Sequence, residues 1–165
     1  MRKKKIYLDT SVISYLRQED APERMTETLE FWEILHSGKY DVYISDVVEA
    51  ELARCAEPKR SELIALMEDI SYAKIVADGN AEIEALDAEI RARNVLPPRS
   101  DNDRLHIAAA IFAGCNIIVS WNFKHMVNVR TIDGVRIVCL ANNTVPIDIF
   151  SPTVLLERSA IDECV

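Results

Sequence analysis

The chain has 165 residues, of which 49% are apolar, and a formal net charge of −8. This length is enough for one domain with a substantial core, and the apolar content argues against disorder. The negative charge argues against a protein whose whole surface binds nucleic acid, but it is compatible with a local basic patch, a metal-bridged phosphate or a basic partner protein.

The first predicted strand, residues 6–8, ends in three polar residues, Asp9, Thr10 and Ser11. A short apolar run bounded by polar residues is typical of a buried strand, and Thr10 or Ser11 is suited to cap the helix that follows. In open α/β sheets, ligands bind outside the carboxyl ends of the strands. Asp9 is therefore either a helix cap or a metal-binding or catalytic carboxylate.

Helical and strand patterns alternate through the rest of the chain. Apolar spacing predicts helices over residues 12–16, 22–36, 47–55, 58–70, 80–90 and 101–112, and a short terminal helix from Pro152. Short apolar runs predict strands over 42–44, 72–76 (weak and peripheral), 117–120 and 135–140, and an extended segment over 147–150. This alternation predicts a single α/β domain over residues 1–165, with a parallel sheet covered on both faces and the first strand central.

Neither a membrane segment nor a disulfide framework is evident in the sequence. No apolar run approaches the roughly 20 residues that span a bilayer, and the basic start leads into a strand instead of a signal-peptide core. The four cysteines lie far apart, without a Cys-x-x-Cys pair or a His at zinc spacing. We therefore expect a cytoplasmic protein whose thiols are reduced and mostly buried.

The helix predicted from residue 47 carries two acids, Glu49 and Glu51, which point about 200° apart at 3.6 residues per turn. Glu51 shares a face with the apolar residues Val47, Val48 and Cys55, whereas Glu49 lies on a more polar face. A carboxylate directed inward is costly unless it is paired, hydrogen-bonded or bound to a metal. Glu51 is therefore the functional candidate, and we expect Glu49 to be solvated.

Asp103 lies in the first turn of the helix predicted from residue 101, where an acid is stabilised by the helix dipole. It also shares a face with His106 and Ile107, so it leans toward the core. Asp101 stands at the entrance of the same helix, either as a cap or as an auxiliary acid. We prefer Asp103 as the site residue and leave the role of Asp101 open.

Asn122 follows the strand predicted at 117–120, in the same topological place as Asp9. On local grounds it is a turn residue, but with Asp9, Glu51 and Asp103 it would lie at the carboxyl edge of one parallel sheet. Three converging carboxylates repel each other unless a divalent cation neutralises them, and oxygen ligands without cysteine suit Mg²⁺ or Mn²⁺. Such an ion activates water for attack on a phosphodiester. The residues thus indicate metal-dependent phosphoryl chemistry.

Over nearly its whole length, the chain resembles the PIN domain family, and in particular the VapC-like ribonuclease toxins of type II toxin–antitoxin pairs. Four segments carry the resemblance, each with one acidic or amide residue: 6–13 with Asp9, 44–52 with Glu51, 103–110 with Asp103, and 120–125 with Asn122. The last segment resembles a subgroup in which Asn replaces the commoner Asp.

The resemblance implies a three-layer α/β/α sandwich with a mostly parallel five-stranded sheet. It also implies Mg²⁺- or Mn²⁺-dependent endonucleolytic cleavage of RNA, with Asp9, Glu51 and Asp103 holding the metal and Asn122 orienting a water or an outer ligand. The missing charge at Asn122 favours one metal over two. Among partners, it implies an RNA substrate, a small antitoxin protein and a second copy of the chain in a homodimer.

Two alternatives stay open at this point: a PIN-type nuclease without a toxin role, and a non-catalytic RNA- or protein-binding module on the same scaffold. Other polar and aromatic residues near the four segments have structural interpretations. We expect His106 to be satisfied by a neighbouring carboxylate or carbonyl, and His125 to pack at the sheet edge. Arg99, Arg104 and Lys124 either contact phosphates or are solvated. The two tryptophans are expected in the core or an interface.

Overall fold

The computed structural model describes residues 2–164. Its single sheet has five strands: β1 Lys5–Leu8, β2 Asp41–Ser45, β3 Ala73–Ile75, β4 Ile117–Val119 and β5 Asp148–Phe150. The strand order is β3-β2-β1-β4-β5, and every neighbouring pair is parallel. The predicted places of β1 at the centre and of β3 at an edge are confirmed.

Eight α-helices connect and follow the strands within the described residues. Their bounds are α1 Thr10–Ser14, α2 Pro22–His36, α3 Asp46–Leu52, α4 Lys59–Glu68, α5 Ala81–Ala92, α6 Asp101–Phe112, α7 Val129–Ala141 and α8 Pro152–Glu163. A single 3₁₀ turn, Tyr15–Arg17, extends α1. None of these helices is long and apolar enough to cross a membrane.

The central strand explains why the fold has three layers. Successive side chains of a strand point to opposite faces, so Ile6 and Leu8 enter one core, while Tyr7 enters the other. The core that contains Ile6 and Leu8 is closed by α1, α2, α3, α4 and α8. The core around Tyr7 is closed mainly by α5, α6 and α7. The predicted α/β/α sandwich is therefore confirmed, with helices on both faces of one parallel sheet.

The strand predicted at residues 135–140 is wrong, because this segment belongs to α7. The helix begins earlier, where the side chain of Asn128 accepts a hydrogen bond of 2.9 Å from the backbone N–H of Thr131. Val135 and Cys139 then lie one helical turn apart, and both are buried. The β-branched residues of this segment suggested a strand, but their spacing serves a helix packed on the sheet.

The last strand is β5, which falls in the segment predicted to be extended at 147–150. It can lie beside β4 because α7 supplies the crossover between the two parallel strands. Gly134 allows α7 to pack closely, since a Cβ atom at this position would lie 2.6 Å from Cγ1 of the buried Val95.

The expectation for the cysteines holds only in part. All four are free thiols, but only Cys115 and Cys139 are buried, whereas Cys55 is half-buried and Cys164 is exposed. Burial raises the pKa of the Cys115 thiol to about 12, so this side chain behaves as a small apolar residue.

Candidate active site

The sequence-predicted site residues lie on elements that meet around the carboxyl edge of the sheet. Asp9 directly follows β1, and Asn122 follows the neighbouring strand β4. Glu51 lies on α3, which follows β2, and Asp103 lies in the first turn of α6. Glu51 is joined to this edge by a hydrogen bond from Thr10, the residue after Asp9. Asp103 lies one helical turn before His106, the histidine that contacts Glu51.

Asp9 is a buried carboxylate held by hydroxyl groups. Its Oδ1 accepts a 2.5 Å hydrogen bond from the hydroxyl of Ser11, and its Oδ2 accepts one from the hydroxyl of Ser120. It also caps α1, because Oδ1 accepts a 3.4 Å bond from the backbone N–H of Val12. Burial raises the pKa of Asp9, and the positive charge of His106 and the two serines only partly oppose this.

Glu51 turns inward, as the helical periodicity predicts. Its Oε1 accepts a 2.8 Å hydrogen bond from the hydroxyl of Thr10 and lies 2.6 Å from Nε2 of His106. Burial by itself would raise the pKa of Glu51, but the hydrogen bond and charge of His106, with bonds from Thr10 and Asn102, outweigh it and lower that pKa. Its neighbour Glu49 instead pairs with Lys74 at the surface.

His106 connects Glu51 to the interior of the fold. The imidazole is buried, and its Nδ1 lies 2.6 Å from the hydroxyl of Tyr7. That hydroxyl lies 2.6 Å from Oγ of Ser45 at the end of β2. The prediction that His106 is satisfied by a carboxylate is confirmed. Tyr7 was missed, although its central position in β1 places it on the face opposite Ile6 and Leu8.

Asp103 is paired with a second histidine nearer the surface. Its Oδ2 lies 3.0 Å from Nδ1 of His125, and both side chains are partly exposed. His125 is presented by a turn, in which Oδ1 of Asn122 accepts a 3.0 Å bond from the backbone N–H of His125. The backbone carbonyl of Asn122 accepts bonds from Met126 and Val127. Asn122 therefore shapes the turn, in line with its local interpretation.

Asp101 and Arg104 are paired with each other. Arg104 is buried, and its guanidinium donates to the carboxylates of Asp101 and Asp87, with a 3.1 Å bond to the latter. The side chain of Asp101 is exposed and also lies near Arg91. Neither alternative proposed for Arg104 is correct, because its guanidinium is neither solvated nor free to contact a phosphate.

Trp32 and Trp121 are both buried, as expected.

The chemistry of the donors fits a hard cation, although no ion cage is preformed. Among residues 2–164, no group of three or more His, Cys, Asp or Glu side chains is arranged closely enough to hold a metal ion. Mg²⁺, however, commonly binds proteins through one or two carboxylates and keeps several waters. Asp9, Glu51 and Asp103 supply such oxygens, and hydroxyls rather than thiols surround Asp9.

Comparison with known proteins gives a family and a fold. The family model of the PIN domain matches residues 6–124. No curated protein matches the chain in sequence. Among solved structures, the chain is similar to one from the crystal structure of VapBC2 from Rickettsia felis bound to a DNA fragment from their promoter. The TM-score is 0.56 at 16% identity, and the alignment covers 88% of this chain and 98% of the other.

Proposed function

The chain belongs to the PIN domain family, and we propose that it is a metal-dependent endoribonuclease that uses Mg²⁺ or Mn²⁺. The observation that supports this proposal is that Asp9 and Glu51 lie on elements that meet around one sheet edge and are both held by hydrogen bonds, with Asp103 one helical turn before the histidine that contacts Glu51. A buried carboxylate such as Asp9 is costly in a structural role, and acids with shifted pKa values, as at Asp9 and Glu51, are typical of functional sites.

Asp9, Glu51 and Asp103 would hold the ion, and the chemistry that it would supply there is an activated water and charge stabilisation on the phosphate and the leaving oxygen. The residues of this chain do the positioning. Ser11 and Ser120 fix both oxygens of Asp9, so that this carboxylate keeps one orientation. Thr10 and His106 both contact Oε1 of Glu51 and hold that side chain against α6. Asn122 acts indirectly, through the turn that places His125 beside Asp103.

The proposed biological role is that of a VapC-like toxin inhibited by a small antitoxin. Support comes from the fold, since the similar chain belongs to a VapBC2 structure that includes promoter DNA. A homodimer and a cytoplasmic location belong to the same proposal. If the role is correct, expression of the chain alone should arrest growth, and Asp9→Asn should relieve the arrest.

The test of the activity is cleavage of a mixed single-stranded RNA pool with Mn²⁺ or Mg²⁺. Asp9→Asn keeps the size of the side chain and removes one metal-binding charge, so we expect a loss of at least about 100-fold in rate. Asp162→Asn is the matched control, because Asp162 pairs with Lys39, which precedes β2 at the opposite edge of the sheet. Equal rates for wild type and Asp9→Asn would refute the assigned site.

A second candidate, a non-catalytic binding module, is favoured by the lack of a preformed cation cluster among residues 2–164. The two candidates differ in their response to metal. A nuclease that binds Mn²⁺ only in the folded state is stabilised by it. A free Mn²⁺ concentration of 100 times Kd raises the free energy of unfolding by about 2.7 kcal/mol. A melting temperature unchanged by Mn²⁺, together with no cleavage, would favour the binding module.

A further inference from the structure

A cation and three aromatic rings form a cluster on the surface beside the candidate active site. The guanidinium carbon of Arg24 lies 5.8, 5.5 and 5.2 Å from the ring centroids of Tyr15, Trp121 and Phe123, respectively. The ring of Trp121 lies 5.8 Å from that of Tyr15 and 6.2 Å from that of Phe123. We refer to these four side chains as the Arg24 platform.

The Arg24 platform is joined directly to the hydroxyls that hold Asp9. Trp121 directly follows Ser120, whose hydroxyl donates to Asp9. The backbone N–H of Trp121 donates a 2.8 Å bond to Oγ of Ser11. The same Ser11 hydroxyl donates to Asp9. A nucleotide chain whose phosphate lay at Asp9 would therefore have a neighbouring nucleotide within reach of these rings.

The inner part of the platform is fixed, whereas its outer part is open to solvent. Trp121 is 5% exposed, and its indole N–H donates a 2.8 Å bond to the hydroxyl of Thr28. Phe123, in contrast, is 44% exposed, and Arg24 is also exposed. A rigid indole thus supports an exposed ring and an exposed guanidinium, which is a surface suited to contact a flat ligand.

The charge of Arg24 points to the class of ligand. Within residues 2–164, Arg24 forms no salt bridge, although the chain has 27 acidic and 19 basic side chains. Its NH1 instead donates a 3.3 Å bond to the hydroxyl of Tyr15. Exposed Lys124 adds a second positive charge next to Phe123. A cation held on aromatic rings without an acid suits a ligand that has both a π face and a negative charge.

We propose that the Arg24 platform binds one nucleotide of single-stranded RNA beside the cleaved bond, with its base stacked on the platform and its phosphate contacted by Arg24. This inference rests on the proposed nuclease function and deepens it. Unpaired bases stack on aromatic rings and on arginine guanidinium planes, and this contact tolerates any base because every base has a π face. The platform therefore supplies affinity and strand placement without reading a sequence.

The test measures RNA binding apart from cleavage. The protein carries Asp9→Asn and is titrated in EDTA with a short single-stranded RNA, and Kd is read from tryptophan fluorescence, since Trp121 packs 6.2 Å from the exposed ring of Phe123 on which the base would stack. We expect Phe123→Ala to raise Kd about 5- to 100-fold, the range for loss of one base–aromatic stack. Arg24→Ala should raise Kd and also reduce its salt dependence.

Two matched controls make the same changes at the opposite edge of the sheet. Phe112→Ala removes a ring of similar exposure at the end of α6, and Arg158→Ala removes an exposed arginine of α8 next to Ser159, which contacts Lys39. Neither should change Kd. Phe123→Tyr keeps an aromatic ring and should bind as wild type does, which guards against a folding defect in the alanine variant. An RNA lacking the stacked base should bind Phe123→Ala and wild type equally.

An unchanged Kd in both Phe123→Ala and Arg24→Ala would overturn the proposal, and it would be the result if the platform receives a protein segment instead. The proposed function fails separately. If wild type does not cleave RNA but Phe123→Ala still weakens RNA binding, the platform stands as a binding site without the nuclease. If wild type cleaves RNA and both platform variants keep its KM, the nuclease stands and the platform inference falls.

Discussion

The candidate site contains two histidine–carboxylate pairs that differ in depth. In the inner pair, His106 lies 2.6 Å from Glu51, and the imidazole side chain is 3% exposed. In the outer pair, His125 lies 3.0 Å from Asp103, and the two side chains are 28% and 21% exposed. The two pairs therefore differ in the burial of their imidazoles, since the Glu51 side chain, at 27% exposed, is as accessible as the outer pair.

The difference between the pairs lies in what surrounds each imidazole. Both ring nitrogens of His106 have partners, one in Glu51 and the other in the buried Tyr7. A buried polar group that is fully satisfied fixes its neighbours, so the inner pair sets the position of Glu51. His125 is held through its backbone by a turn, and its side chain reaches Asp103 next to solvent. The outer pair can thus be replaced by a ligand at little cost to the fold.

The largest expected difference between the two pairs is the loss of stability when the histidine of each is replaced by alanine. His106→Ala leaves a buried cavity and deprives Tyr7 and Glu51 of a partner, so we expect a loss of about 2–4 kcal/mol in the free energy of unfolding. His125→Ala removes a partly exposed contact and should cost less than about 1 kcal/mol. Urea unfolding of the three proteins at pH 7 measures both values.

Glu51 keeps its hydrogen bond from Thr10 when His106 is removed, and His106→Gln, which also keeps a polar side chain at this position, should recover part of the lost stability. Similar losses for His106→Ala and His125→Ala would contradict the distinction between an inner structural pair and an outer exchangeable one.

The acids of the site should also respond to pH with opposite signs in metal-free protein. The pKa of Glu51 is lowered from 4.5, so the folded state binds fewer protons than the unfolded state there. Its contribution to stability is present above pH 4.5 and is lost as the pH falls through the folded pKa. The pKa of Asp9 is raised from 3.8, so stability is lost as the pH rises from 3.8 through the folded pKa.

Unfolding free energies of wild type, Glu51→Gln and Asp9→Asn, measured with EDTA over a pH series, check these signs. The difference between wild type and Glu51→Gln should favour wild type increasingly as the pH rises through the acidic range. The difference between wild type and Asp9→Asn should move the other way, against wild type, as the pH rises. Parallel pH curves for the two variants would contradict the opposite pKa shifts of Glu51 and Asp9.

The inner pair could be predicted from the sequence because both of its members lie on helices whose buried face follows from the apolar spacing. Glu51 faces inward because apolar residues recur around it at helical spacing, and His106 lies one turn after Asp103 on α6. The placement of Asp9 follows from the strand that precedes it. These features depend on local spacing, which the sequence contains in full.

Other features depend on contacts between distant segments, and spacing alone does not predict them. Arg104 is buried because Asp87, 17 residues earlier on α5, receives its guanidinium. The pair of Asp103 and His125 forms because the turn after β4 returns toward α6. The helix α7 was mistaken for a strand because its β-branched residues outweighed the cap at Asn128 in the sequence pattern.

The smallest effect expected concerns the turn that supports the outer pair. Oδ1 of Asn122 accepts from the backbone N–H of His125, and its own N–H donates a 2.9 Å bond to the hydroxyl of Ser120. Asn122→Ala removes the acceptor and should cost about 1 kcal/mol, whereas Asn122→Asp retains it and should stay within about 0.5 kcal/mol of wild type. Urea unfolding compares the three proteins.

If the alanine variant is as stable as wild type, the side chain does not support the turn, and a role as a direct ligand becomes the better explanation. If Asn122→Asp also lowers the Mn²⁺ concentration needed for half-maximal stabilisation, the added charge reaches the ion, because a further carboxylate strengthens an oxygen site for a hard cation. The turn and the ion would then depend on the same side chain.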